Sequence, residues 1–171
     1  MVLSPVCRGL AIVALTLGVG ACSSTTTAPG AEDRGLLRAE PLTVGGVVVG
    51  EQYSGLRTRE RLVVRDATEW AALWSRITAN VEPAPPLPAV PFEREQLIVV
   101  ASGAKPTGGH AIAVAEVREE HDALRVLVRE TEPGARCVTT QALTAPVAVV
   151  RTPRSDLPVV FEEVRERVDC P

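Results

Sequence analysis

Only one stretch of this sequence carries a helical apolar repeat, and that fact restricts the fold more than any other. Trp70, Leu73, Trp74 and Ile77 fall at i, i+3, i+4 and i+7, which puts both tryptophans on one face of a helix of about 13 residues. Asp66, three residues ahead of Glu69, has the chemistry and spacing of an N-cap with a capping-box partner. The rest of the ordered sequence reads as short β-branched runs: GGVVVGEQYSG with RERLVVRD, QLIVVASG, HAIAVAEVREE, ALRVLVRETEP, APVAVVRTP and LPVVFEEVRERV. The expected class is α+β, mainly antiparallel β with six or seven strands and one amphipathic helix packed on the sheet. HAIAVAEV and ALRVLV form a hairpin turning near residues 120–122. The alanines of HAIAVAEV suggest a second face lying close beneath the helix or another sheet. LPVVFEEVRERV is expected to fray into a helical turn before Cys170. Residues 81–91, VEPAPPLPAVP, can be neither helix interior nor central strand, because proline fixes φ and lacks the N–H donor. They form a stiff extended connector.

The first 44 residues obey a different logic. One positive charge at Arg8, an apolar stretch from Gly9 to Val19 and small residues before Cys22 have the layout of an export signal, with an apolar region short for a membrane span. Val19-Gly20-Ala21-Cys22 is similar to a bacterial lipobox, so Cys22 is the expected acylation site and new N-terminus. Several acyl chains on one cysteine hold firmly, at about 0.8 kcal/mol per buried methylene. The Ser/Thr/Pro/Gly-rich run after Cys22 reads as a flexible tether. The expected organisation is a signal over residues 1–21, a tether over 22–44 and a domain over 45–171. The expected location is a bacterial membrane, facing the periplasm or the exterior. Ser23, where an inner-membrane retention signal would have Asp, leaves outer-membrane sorting open.

In that oxidising setting Cys7 leaves with the signal and Cys22 is acylated, so the remaining two of the 4 cysteines, Cys137 and Cys170, pair in a disulfide. Removing 21 of 171 residues takes one positive charge from a chain of net charge −3, and no Lys/Arg cluster supplies a basic face, which argues against nucleic acid as a partner. Catalytic patterns are thin. Ser102 and Lys105 match S-x-x-K, but Gly103 and Pro106 disfavour the helical turn that brings such a lysine to its serine. Glu119, Glu120, His121 and Asp122 sit at a hairpin tip, where adjacent polar residues are ordinarily solvated. No cofactor or metal is expected.

Two loops remain informative: residues 103–110, a tight turn through Lys105-Pro106-Thr107-Gly108-Gly109-His110, and residues 133–146. With the Asp66–Trp74 helix, they resemble the C-terminal domain of the protease complex subunit PrcB family. The matching positions are Tyr53-Ser54-Gly55, Glu69-Trp70 to Trp74, Pro106 to Gly109 and Cys137 to Pro146, over about residues 48–171. His110 and Val147 stand where that family more often has Tyr. The resemblance implies an exported, lipid-anchored, non-catalytic protein that associates with another extracytoplasmic protein, a protease among the candidates. It brings no catalytic residues. Lys105, Pro106, Thr107, Gly108, Gly109, His110, Thr140 and Gln141 are the expected contact residues. Two alternatives stay open: a protease inhibitor acting through the 105–110 turn, and a hydrolase using Ser102 and Lys105.

Overall fold

The computed structural model describes residues 35–41, 43–44, 47–48 and 52–170; Cys22 and the expected signal lie outside them. Six full-length strands and one helix account for the domain. The chain begins with three two-residue strands, β1 (Glu40–Pro41), β2 (Thr43–Val44) and β3 (Val47–Val48), then β4 (Arg59–Val64) and helix α1 (Ala67–Ile77). Five strands follow: β5 (Glu95–Ser102), β6 (Ala111–Glu119), β7 (Leu124–Pro133), β8 (Val147–Pro153) and β9 (Val159–Val168). One sheet runs β1-β8-β5-β4, the other β6-β7-β9, and β2 pairs with β3. The expected class, mostly antiparallel β with one packed helix, is what is found.

Strand β5 shows why the two sheets and the helix stack as they do. Its residues are buried on both faces, and successive side chains point to opposite sides. Leu97, Val99 and Ala101 join Val147 and Val149 of β8 under Trp70, Leu73, Trp74 and Ile77 of the helix. Ile98 and Val100 face the second sheet, where Ile112, Val117, Leu124, Val126 and Val128 meet them. β5 therefore lies between helix and second sheet, which explains why QLIVVAS is apolar without alternation.

The helix starts as its sequence dictates. The Asp66 carboxylate accepts the N–H groups of Thr68 and Glu69, both at 2.8 Å. The tryptophan rings are 5.3 Å apart and tilted. Their indole N–H groups need acceptors in a buried setting, and the proline-rich connector provides them: Trp70 Nε1 donates to the Pro88 carbonyl at 2.9 Å and Trp74 Nε1 to that of Pro85 at 3.1 Å. Proline is suited to this, since it offers a carbonyl and asks for no acceptor in return.

Three features depart from the sequence expectation. First, β7 and β9 pair in parallel, from Leu124↔Val159 to Pro133↔Val168, and β9 stays extended to Val168 instead of turning helical. A parallel neighbour needs a long connection, and residues 134–158, with β8 in the other sheet, provide it. Second, the alanine row of β6 is exposed, at Ala111, Ala113 and Ala115, because the helix packs on the other sheet. A bulge between Val114 and Glu116 resets the alternation so that Val117 still points inward. Third, the chain joins the sheets ahead of residue 45: Leu36 bridges Arg118, and Glu40 pairs with Arg151. The disulfide joins Cys137 to Cys170, tying the end of β9 to the loop after β7.

Candidate functional site

At one end of the sheets the informative stretches lie side by side, with residues 143–146 as the middle one. On one flank, Lys105 N–H donates to the Thr144 carbonyl at 2.8 Å and Thr144 N–H to the Lys105 carbonyl at 3.0 Å. On the other, Ala145 N–H donates to the Gln52 carbonyl at 2.7 Å, and both Ser54 N–H and Ser54 Oγ reach the Ala145 carbonyl. Thr144 Oγ1 donates to the Thr107 carbonyl at 2.9 Å, and Gly108 N–H to that of Thr140 at 3.0 Å. Three segments far apart in sequence thus form a small hydrogen-bonded platform.

The glycines allow these approaches. A Cβ on Gly108 would collide with Thr140 Oγ1. Gly109 has a φ of 83°, a left-handed conformation that side chains disfavour. Gly55 packs against the C-terminal end of α1, where its N–H caps the Ile77 carbonyl at 3.0 Å.

These bonds divide the expected contact residues into two groups. Ser54, Thr144 and Ala145, which are not among those eight, are at most 5% exposed and form the platform itself. Gly108 is buried, and Thr107 and His110 are half-buried. Pro106, Gly109, Thr140 and Gln141 are exposed. Outside the expected set, Tyr53 at 60%, Leu143 at 66% and Val138 at 102% are also exposed. Tyr53 bridges Ala145 in parallel, and Leu143 lies two residues before Ala145 on the same segment. A signal for Tyr53 was present in the sequence: it is the one residue of Tyr53-Ser54-Gly55 whose type no turn or cap requires.

Lys105 turns inward. Its Nζ lies 3.9 Å from Oε2 of Glu130, a carboxylate only 3% exposed between the sheets. Arg61 is the centre of this cluster: Nη2 reaches Glu130 at 2.7 Å, Nε reaches Glu163 at 2.7 Å, and Nη1 donates to the Glu60 and Ala101 carbonyls. Arg59 adds contacts to Glu130 at 3.2 Å and Glu163 at 2.8 Å. Ser102 Oγ is buried without a hydrogen-bond partner, so it is not joined to Lys105 as a serine nucleophile to its base would be. Among the described residues no three or more His, Cys, Asp or Glu converge as a metal site.

Two groups here that ionise in the acid range are shifted from their ordinary values. Burial pushes the Glu163 carboxyl upward, but the hydrogen bonds and charges of Arg61 and Arg59 outweigh it and hold the carboxyl below its ordinary 4.5. Burial, then the Lys105 charge, hold His110 below its ordinary 6.5. In both cases the unfolded chain takes up protons first, so stability rises with pH across the shifted window. The stability contributed by His110 begins to fall as pH drops below 6.5, and that from Glu163 below 4.5; each is fully lost beneath the lowered folded value. Urea midpoints followed by tryptophan fluorescence should be flat above pH 7 and fall in two steps on acidification. Glu163→Gln should remove the lower step and His110→Gln the upper.

Residues 97–153 match the family model described as PrcB C-terminal, in agreement with the resemblance read from the sequence. That span runs from the third residue of β5 to the end of β8 and contains both loops of the platform. No curated protein and no solved structure matches the chain.

Proposed function

We propose that this chain is a non-catalytic, lipid-anchored extracytoplasmic protein that docks another protein, as a subunit associated with an exported protease, and that the docking surface is the platform at the end of the sheets. The observation that carries this reading is the division of labour within the platform. Its buried residues are used in holding three segments together, while an aromatic and a leucine carried on two of those segments, Tyr53 and Leu143, are left exposed. Exposed apolar groups at such a location mark interaction surfaces, and tyrosine is among the residues that most often anchor them. The match over residues 97–153 supports the association with a protease complex. The Cys22 lipobox and the following tether support the anchor.

The inhibitor reading draws less support, because a wedge needs a projecting loop. Here the Thr107 carbonyl and the Gly108 N–H are both bonded to the neighbouring segment, which leaves Pro106 and Gly109 as the exposed parts of the turn.

The double variant Tyr53→Ser/Leu143→Ser tests the docking surface. Both side chains are exposed, so the urea midpoint should correspond to a change within about 0.5 kcal/mol of wild type per site. Partner recovered from detergent-solubilised membranes should fall at least several-fold. Undiminished recovery would rule out this surface.

A further inference from the structure

The platform has a charge rim that narrows the chemistry of what it docks. Arg57, Arg59, Arg61 and Lys105 gather at this end of the molecule: the Arg57 carbonyl accepts Ala104 N–H, and Arg59 pairs across the ladder with Ser102. Against these four cations stand Glu130 and Glu163. The nearby Glu132 is paired with Arg167 at 4.0 Å, and Glu60, on the opposite face of β4, with Arg76. Two positive charges are therefore in excess, on a chain whose net charge is −3. Arg57 is exposed and its side chain makes no ion pair with any described residue. Arg59 is 40% exposed, with its guanidinium at the outer edge of the buried cluster. Both follow Tyr53 in the chain, by four and six residues.

Resting on the docking reading above, we infer that the partner presents an acidic segment, with an apolar side chain seated on Tyr53 and Leu143 and carboxylates meeting Arg57 and Arg59. Rim charges of this kind govern the rate of encounter and its salt dependence more than the lifetime of the complex, whereas the apolar pair governs dissociation. The half-buried Arg61 and Lys105, turned toward Glu130, supply field without touching the ligand.

The test is a phage-displayed random dodecapeptide library panned on the immobilised full chain, followed by titration of the enriched peptides as synthetic probes. Enriched peptides should carry net negative charge together with an aromatic or aliphatic residue. Their affinity should drop about tenfold in Arg57→Glu, less in Arg57→Gln, and should weaken as salt is raised. The urea midpoint of each variant checks that it folds. Peptides without acidic bias, or affinity indifferent to Arg57→Glu but lost in Tyr53→Ser/Leu143→Ser, would overturn the acidic partner and leave the docking surface standing. Failure to enrich any peptide, or affinity indifferent to all of these variants, would overturn both. A thymidine oligonucleotide that binds with the same Arg57 dependence would assign the rim to phosphates and overturn the inference as well.

Discussion

Replacing Arg61 with alanine is expected to destabilise the protein by about 3–5 kcal/mol, the usual cost of removing one partner from a buried ion pair. The guanidinium is 13% exposed and makes bonds to Glu130, Glu163 and two carbonyls. Without it Glu130 stays 3% exposed between the sheets with only Arg59 at 3.2 Å and Lys105 at 3.9 Å. Because Arg61 lies on β4 while its acids lie on β7 and β9, the loss falls on the contact between the two sheets. Urea denaturation followed by the fluorescence of Trp70 and Trp74 measures it. An Arg61/Glu130 double-mutant cycle should return a coupling of more than about 1 kcal/mol, since the groups touch and share a network. A single-variant loss below about 1 kcal/mol would place this cluster with ordinary surface ion pairs.

Gly55→Ala carries the second largest expected effect. The added Cβ would be driven into the carbonyl oxygen of Arg76 and against Ala79, so the end of α1 or the 52–55 segment must move. Overpacking of this kind costs about 1–3 kcal/mol, and a backbone atom as obstacle sets it at the upper end of that range. The shift would also break the Gly55-to-Ile77 bond and displace Ser54, which holds the platform through the Ala145 carbonyl. Stability and docking should therefore fall together, unlike the Tyr53/Leu143 variant, where docking alone falls. A Gly55→Ala protein with wild-type midpoint and wild-type docking would show that the platform does not depend on this approach.

The elements legible in the sequence were those set by local chemistry. The Asp66 cap and the Trp70/Leu73/Trp74/Ile77 face specify the helix, alternation specifies the β6–β7 hairpin, and two cysteines in an oxidising setting specify the disulfide. What was not legible depends on which strands become neighbours. Nothing in LPVVFEEVRERV states that its partner lies in parallel beyond an intervening strand of another sheet. Arg61, Glu130 and Glu163 each look like solvated positions on alternating strands, and only the packing of β4 against β7 and β9 brings them together. For the same reason Lys105 reads as an exposed loop residue although it points at Glu130. Tyr53 and Leu143 are not singled out within their segments because exposed apolar residues carry no pattern of their own. They stand out only once Ser54, Thr144 and Ala145 around them are seen to be buried.

The central claim is that the platform meets another protein through Tyr53. A photo-crosslinking amino acid placed at position 53 of the full chain, with one at Ala72 on the exposed face of α1 as control, tests it most directly in intact cells. Irradiation is expected to give one discrete crosslinked species from position 53 and none from position 72, and its second component should be an exported protein, a protease or its precursor. Equal products from both positions, or none from position 53, would contradict the account.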